Sequence, residues 1–298
     1  VIAFRTKADV DAIISTIRKE KTAVVVGGGL LGLEAAYGIA KHGIKTILVH
    51  RSGSILSQQL DSTGGKLLQK NLEKYGIEFK LNTTISEITG TSKVENVQFS
   101  DGTSVESNLV IFATGIIPNT ALAVEANLET KKGIIVDDFL KTSDDSIFAI
   151  GECVEHDGNT YGLVAPLYEQ AKVLAKVLAN KKTDGYEGST LSTRLKISGV
   201  DLFSAGDYLG DETTEDLILL DEKVGIYKKL VIYKDKIIGI VLYGDTNDAS
   251  WYLKLLKENT DISDLRTKIL FGKSALSGDS GHGGNDINAM SDDEEVCG

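Results

Sequence analysis

Cysteine and long apolar runs are scarce in this chain, and each absence excludes a class of protein. Two cysteines among 298 residues, Cys153 and Cys297, are too few for a disulfide framework, so we expect a reducing, cytoplasmic compartment. No apolar run reaches the roughly 18 residues that a transmembrane helix requires, so we expect no membrane partner. The net charge of −11 argues against nonspecific binding to nucleic acid. The histidines show no metal-ligand spacing, and we predict no metal site.

Methionine is nearly absent as well. The single one is Met290, and the chain opens on Val1 inside an apolar run without a signal peptide. We therefore expect an internal piece of a longer protein. The charge is unevenly spread, because residues 272–298 hold six acidic residues, one lysine and six glycines. This composition predicts a flexible acidic linker.

The first half of the chain alternates between strand and helix patterns. Apolar runs predict strands at Ala23–Val26, Lys45–Val49 and Ile77–Leu81. Helical patterns lie between them, from Leu30 to about Lys41 and from Asp61 to Tyr75. This order predicts a parallel sheet with right-handed crossovers.

The later segments are shorter and more varied. They predict an antiparallel meander, two further strands, a helix, and a last region of strands with a helix. In chain order these segments are Thr84–Ile88, Val94–Phe99 and Ser104–Glu106 (meander), Leu109–Ala113 and Asp144–Gly151 (strands), Pro166 to about Ala179 (helix), Lys229–Tyr233 and Ile237–Tyr243 (strands) and Ala249–Glu258 (helix).

A glycine-rich segment joins the first predicted strand to the first predicted helix. It reads Gly27-Gly28-Gly29-Leu30-Leu31-Gly32. In this G-x-G-x-x-G spacing the first glycine permits a tight turn, the second lets the backbone approach a pyrophosphate, and the third lets the helix pack closely on the strand. The helix N-terminus offers N–H groups and the positive end of a dipole to the diphosphate. The segment therefore predicts a dinucleotide site, and a glycine-rich turn without a ligand is the alternative.

The end of the second strand bears on which dinucleotide is bound. It carries His50-Arg51 where an acidic residue would bond the ribose of NAD. Arg51 can meet the 2′-phosphate of NADPH, and His50 can stack on or bond the adenosine. An exposed arginine without a ligand is the alternative, so the choice between NADH and NADPH stays open.

Three later segments resemble the signatures of one family. They are Ala113-Thr114-Gly115 followed by Pro118-Asn119, the run from Thr142 to Gly151-Glu152, and the run from Tyr161 to Ala171. With the glycine-rich segment they resemble flavoprotein reductases with two dinucleotide-binding domains, the pyridine nucleotide-disulfide oxidoreductase superfamily. Within it they look most like the large subunits of assimilatory NAD(P)H-dependent nitrite reductases.

The resemblance implies an α/β fold of the FAD/NAD(P)-binding, Rossmann-like kind, with a parallel sheet, an antiparallel meander and a small C-terminal α+β domain. The implied domains are a crossing segment from the FAD domain (1–20), the NAD(P)-binding domain (21–119), the C-terminal part of the FAD-binding domain (120–182), a small α+β interface domain that pairs two copies in a homodimer (190–271), and the acidic linker (272–298).

The resemblance also implies cofactor contacts. NAD(P)H would bind the glycine-rich segment, Glu34, His50 and Arg51, with Ala113, Thr114 and Gly115 as further cofactor contacts, and FAD would bind Gly151, Glu152 and Pro166. Glu152 stands where most members have aspartate, so its reach toward the ribityl chain of the flavin differs. The alternative for Glu34 is an exposed helix residue, and for Glu152 a helix-start carboxylate. No catalytic residue is assigned.

The implied activity is hydride transfer from NAD(P)H to FAD. Electrons would pass on to downstream domains or to a small redox protein, for the reduction of nitrite to ammonia. Sirohaem and iron–sulfur clusters would lie outside this chain, because the lone Cys297 cannot hold a cluster. Two alternatives stay open: a rubredoxin, ferredoxin or NADH oxidase type reductase of the same superfamily, and a catalytically silent nucleotide-binding module.

Overall fold

The computed structural model describes residues 1–17, 22–197 and 199–279. Most of the predicted acidic linker, including Cys297, lies outside these residues. The strands are β1 (Ile2–Ala3), β2 (Thr22–Val26), β3 (Lys45–Val49), β4 (Ile77–Lys80), β5 (Ile85–Thr89), β6 (Asn96–Phe99), β7 (Ser104–Glu106), β8 (Leu109–Phe112), β9 (Ile134–Val136), β10 (Val154–His156), β11 (Asn159–Thr160), β12 (Ser192–Ile197), β13 (Val200–Gly206), β14 (Glu215–Asp221), β15 (Ile226–Tyr233) and β16 (Lys236–Tyr243). The helices are α1 (Lys7–Ile17), α2 (Leu30–Ala40), α3 (Ser62–Glu73), α4 (Ala121–Glu125), α5 (Val164–Leu178) and α6 (Ala249–Lys257). Within this part of the chain no helix is long and apolar enough to cross a membrane.

A five-stranded parallel sheet forms the centre of the N-terminal half, in the order β1-β8-β2-β3-β4. Val25 of β2 lies opposite Leu48 of β3 and Ile111 of β8. Successive side chains of a strand point to opposite faces, so a sheet covered on both faces needs apolar residues at every position. Val24 and Val25 are both fully buried for this reason. The predicted parallel sheet is confirmed.

Two layers cover this sheet. On one face Leu33 of α2 and Leu68 of α3 belong to the same apolar cluster as Val25. On the other face Val97 of β6 packs in a cluster with Val24. Strands β5, β6 and β7 pair antiparallel, which confirms the predicted meander.

Residues 1–17 add a strand and a helix that the sequence pattern does not predict. Ile2 of β1 pairs in parallel with Ile111 of β8, so β1 extends the sheet by one strand. Helix α1 follows and buries Ile13 and Ile17. Strand β1 is therefore an edge strand of the parallel sheet.

The prediction of a strand at Asp144–Gly151 is wrong. Phe148 makes a single β-bridge with Lys141, and Asp144 turns the chain by accepting a hydrogen bond from the Ser146 N–H at 2.8 Å. A strand needs a neighbour along its whole length, and the described residues supply one only at Lys141. The sheet of this region is β9-β10-β11 instead, with β9 parallel to β10.

The C-terminal domain is an antiparallel sheet in the order β12-β13-β16-β15-β14, and α6 packs on it. Strands β15 and β16 and helix α6 confirm the three elements that the sequence predicts here, whereas β12, β13 and β14 are additional. The domain lies against the N-terminal half: buried Leu202, Tyr227 and Tyr243 share one apolar cluster with Leu56 and Leu60, which precede α3.

Candidate cofactor-binding site

The glycine loop, residues 27–32, turns from the end of β2 into the start of α2. Gly27 has a φ of +123°, where a side chain is strained. A Cβ at Gly27 would strike the carbonyl oxygen of Ala113, and a Cβ at Gly32 would strike the carbonyl oxygen of Gly27. Both positions need glycine for steric reasons, which confirms the close packing of strand, turn and helix that the spacing predicts.

Gly29 differs from these two glycines because it faces open space. It is the N-cap of α2, has an ordinary φ of −86° and makes no side-chain cap hydrogen bond. No atom lies within 4 Å of the position that a Cβ would take there. Leu30 and Leu31 form the first turn of the helix, whose N–H groups have no partner inside the helix. This open helix start fits an anionic group such as a diphosphate.

His50, at the end of β3, is part of the glycine loop's own hydrogen-bond network. The Gly28 N–H donates to Nδ1 of His50 at 3.1 Å. Burial lowers the pKa of His50, and the positive charge of Arg51 lowers it further, while a hydrogen bond with the Ser54 backbone opposes both. An imidazole that accepts at Nδ1 is neutral and carries its proton on Nε2. One nitrogen of the residue predicted to contact the adenosine is therefore already engaged in shaping the loop.

Arg51 and Glu34 are both exposed. Arg51 begins the 51–60 loop, and no acidic side chain in the described part of the chain forms an ion pair with it. Glu34 lies on α2, two residues beyond the end of the glycine loop. Arg51 is thus a cationic side chain free to meet an anion next to the glycine loop.

The segment Ala113-Thr114-Gly115 leaves the C-terminal end of β8 beside the glycine loop. The Ala113 N–H donates to the Val26 carbonyl at 2.8 Å, and Thr114 and Gly115 are exposed. The carboxyl ends of β2, β3 and β8 therefore bring together three of the predicted segments. In open α/β sheets, ligands bind at this edge of the sheet.

Gly151, Glu152 and Pro166 form a second group. Gly151 has a φ of +103°, and its N–H donates to Oε1 of Gln170 at 2.9 Å. The Arg5 guanidinium pairs with the Glu152 carboxylate at 2.6 Å. Pro166 is buried in the first turn of α5, one turn before the fully buried Gln170.

Arg5 links the second group to the edge of the parallel sheet. The residue before it, Phe4, donates its N–H to the Phe112 carbonyl of β8 at 2.9 Å. Neither Arg5 nor Gln170 is predicted from the sequence. The spacing of Gln170 four residues after Pro166, on one face of α5, is the signal that could have found it. Arg5 gives no such signal, because its contact with Glu152 spans 147 residues.

Two further kinds of site, a reactive thiol and a metal centre, have little support in the described residues. Cys153 is a half-buried free thiol whose Sγ lies 3.5 Å from the Ile150 carbonyl oxygen, a contact that fits a structural role. Across the described ranges, no group of three or more His, Cys, Asp or Glu side chains could hold a metal ion.

Two parts of the chain match known protein families. Residues 1–173 match the family described as pyridine nucleotide-disulphide oxidoreductase, and residues 192–260 match the rubredoxin NAD+ reductase C-terminal domain. Among solved structures, a ferredoxin reductase from Rhodopseudomonas palustris superposes with a TM-score of 0.76 at 24% identity, covering 88% of this chain and 68% of that one. This likeness shows the fold alone.

Curated relatives carry names from nitrogen metabolism. A protein named "Nitrite reductase [NAD(P)H]" from Bacillus subtilis is 46% identical over 100% of this chain and 36% of its own length. A protein named "Assimilatory nitrate reductase electron transfer subunit" from the same organism is 42% identical over 91% of this chain and 35% of its own length. The chain thus spans about a third of the length of these relatives.

Proposed function

Because the chain belongs to the pyridine nucleotide-disulphide oxidoreductase family, we propose that it is the NAD(P)H-binding part of a flavoprotein reductase. The observation that carries the proposal is the glycine loop. Gly27 and Gly32 cannot be other residues without a clash, whereas Gly29 needs no glycine for packing and opens the start of α2 to a ligand. The uncovered helix start leaves room for a diphosphate at its free N–H groups.

We infer that NADPH is the preferred nucleotide. Support comes from the exposed, unpaired Arg51 at the end of β3, in the place where an acidic side chain would select NAD. A guanidinium binds a phosphate through paired N–H donors, so Arg51 would add charge-assisted hydrogen bonds that NADH cannot receive. His50, Glu34, Ala113, Thr114 and Gly115 complete the proposed nucleotide surface.

The residues of the second group fit part of a flavin site. Gly151 and Gly115 have no atom within 4 Å of a Cβ position, so a flat ring or a phosphate can approach either backbone closely. Pro166 and Gly151 would support the isoalloxazine edge, and Glu152 would offer Oε1 to the ribityl hydroxyls while Oε2 stays with Arg5. The chemistry that a bound FAD would supply is acceptance of a hydride and release of electrons one at a time.

For the electron acceptor we propose nitrite, reduced to ammonia at sirohaem and iron–sulfur centres in other parts of such an enzyme. The names of the two Bacillus subtilis relatives support this choice. A small redox protein is the second candidate, favoured by the match of residues 192–260 to the rubredoxin NAD+ reductase C-terminal domain. We also propose a homodimer, supported by the edge strand β14 with its exposed Ile218 and Leu220. The scarcity of cysteine supports a cytoplasmic location.

The test of the nucleotide site is Gly29→Val, measured by calorimetric titration with NADPH. The backbone conformation of the N-cap accommodates a valine side chain, which would extend into the open space where we place the diphosphate. We therefore expect the chain to fold and the NADPH affinity to fall at least about tenfold, which is about 1.4 kcal/mol. Unchanged affinity in a folded Gly29→Val chain overturns the proposed site.

The matched control is Gly38→Ala on the same helix. Gly38 is exposed and has no atom within 4 Å of a Cβ position, so alanine should raise stability slightly and leave NADPH affinity unchanged.

Ferricyanide reduction by the purified chain separates a working reductase from a silent module. A colourless chain that binds NADPH without reducing ferricyanide supports the silent module.

A further inference from the structure

The 51–60 loop is attached to the glycine loop on its inner side. The Leu56 N–H donates to the Gly28 carbonyl at 2.8 Å, while the Gly28 N–H is held by His50. Leu56 is 1% exposed and has a φ of +48°, a conformation that is uncommon for a leucine. Strained conformations persist only where surrounding contacts hold them. The position of this loop and the shape of the glycine loop are therefore coupled.

On its outer side the same loop is attached to the C-terminal domain. The Tyr208 hydroxyl, just after β13, donates to the Ser57 carbonyl at 2.9 Å. The Tyr227 hydroxyl of β15 donates to Oδ2 of Asp61 at 2.6 Å, at the end of the loop. Leu56 and Leu60 pack in the apolar cluster that includes Tyr227. The C-terminal domain thus holds the loop at its middle and at its end.

The base of the loop is also tightly packed. A Cβ at Gly65 of α3 would lie 2.5 Å from the Ser54 Oγ, so the loop lies directly on the helix. The Ser52 carbonyl accepts a hydrogen bond from the Asn82 N–H at 3.3 Å. Arg51, by contrast, has an exposed side chain, and backbone hydrogen bonds hold its chain neighbours, His50 and Ser52.

We propose that the C-terminal domain sets the nucleotide preference of this chain, with Tyr208 as a positioning residue that holds Arg51 where it meets the 2′-phosphate of NADPH. This rests on the proposed nucleotide site. Preorganisation is the physical reason: a charged side chain on a fixed backbone loses less conformational freedom when it binds its partner. NADH has no 2′-phosphate, so its binding depends on the glycine loop and much less on the reach of Arg51.

The test is Tyr208→Phe, with NADPH and NADH affinities measured by calorimetry on the full chain. Phenylalanine keeps the packing and removes one hydrogen bond to the loop, so we expect NADPH affinity to fall about fivefold and NADH affinity by less than about twofold. We also expect the Leu56 amide to exchange hydrogen faster in the variant, since the loop is released. An equal loss for the two nucleotides, or none, overturns the inference.

Tyr243→Phe is the matched control. Tyr243 belongs to the same domain and the same apolar cluster, but its hydroxyl donates to the Leu67 carbonyl, in the middle of α3, at 3.2 Å. A purely structural role for these tyrosines predicts the same nucleotide ratio for both variants. Our proposal predicts that only Tyr208→Phe changes it.

A double-mutant cycle with Arg51→Ala shows whether Tyr208 acts through Arg51. If it does, Tyr208→Phe causes no further loss of NADPH affinity once Arg51 is absent, and additive losses contradict the proposal. Failure of the proposed function itself gives a different result, because a wild-type chain that binds neither nucleotide shows that the glycine loop is not a dinucleotide site.

Discussion

At the scale of a single residue, His50 has a structural task that excludes its positive charge. Its Nδ1 must accept from the Gly28 N–H, and a protonated imidazole has no acceptor. Burial and the charge of Arg51 both lower the pKa of His50 and so favour the neutral ring. The glycine loop therefore depends on a histidine that stays neutral near neutral pH.

We predict that His50 makes stability depend on pH. The unfolded histidine has a pKa of about 6.5 and binds a proton before the folded one does. The stability that the neutral ring contributes is therefore fully present above about pH 6.5 and is lost as the pH falls through the lower folded pKa. Urea unfolding between pH 7.5 and 5 measures this loss.

The control for this prediction is His50→Asn, whose Oδ1 can accept from Gly28 and does not titrate. Its stability should fall less with acid than that of the wild type. Equal acid sensitivity in the two chains would assign the loss to groups other than His50.

The tasks of the glycines follow from the sequence, and that of His50 does not. Gly27 and Gly32 have fixed places in a recurrent strand–turn–helix, so their spacing alone predicts their packing. The bond between Gly28 and His50 joins residues 22 positions apart and depends on how β3 leaves the sheet. For the same reason Arg5 could not be paired with Glu152 beforehand.

At the scale of an element, α3 depends on its N-cap more than most helices do. Its first turns contain Gly64 and Gly65, which are poor helix formers. Asp61 compensates because its Oδ1 accepts from the Gly64 N–H at 2.9 Å. Its Oδ2 accepts from Tyr227, and burial keeps the pKa of that hydroxyl raised, so Tyr227 stays a donor. One carboxylate thus caps a helix and joins two domains.

We predict that Asp61→Ala lowers the free energy of unfolding by about 3 kcal/mol. Loss of an N-cap costs about 1 kcal/mol, and a buried hydroxyl left without an acceptor costs about 2 kcal/mol. Urea unfolding followed by circular dichroism measures the change. Asp61→Asn keeps a cap oxygen and should cost less than half as much, and equal losses for the two variants would show that charge rather than capping matters here.

Elements with local signals are predicted well, and those that depend on distant partners are not. β2, α2 and β3 each have an apolar pattern and a glycine near an end, and their predicted bounds are met within about two residues. β1 has two residues and exists because β8, more than 100 residues later, accepts it. The segment 144–151 has an apolar pattern but forms no strand, because its only β-bridge among the described residues is the one to Lys141.

At the scale of the whole molecule, the C-terminal domain is not a separate appendage. Its buried Leu202, Tyr227 and Tyr243 belong to the same apolar cluster as residues on one face of the parallel sheet. The family resemblance implies a separate small α+β domain here, but it does not show which faces meet, because that depends on surface shape. The coupling between nucleotide site and C-terminal domain could be seen only once the fold was assembled.

This continuity predicts that nucleotide binding stabilises the C-terminal domain. The single tryptophan, Trp251, packs against the core of that domain and reports on its unfolding alone. If the apolar cluster makes the two halves unfold together, NADPH at about 100 times its dissociation constant adds about 2.7 kcal/mol, and the Trp251 fluorescence midpoint should rise by about 5 °C. Circular dichroism, which reports on both halves, should give the same shift. In the Gly29→Val chain, whose affinity is at least about tenfold lower, the same NADPH concentration adds at most about 1.4 kcal/mol, so both midpoints should rise by no more than about half as much. If NADPH raises the circular dichroism midpoint and leaves the Trp251 midpoint unchanged, the halves unfold separately and the shared cluster does not couple them.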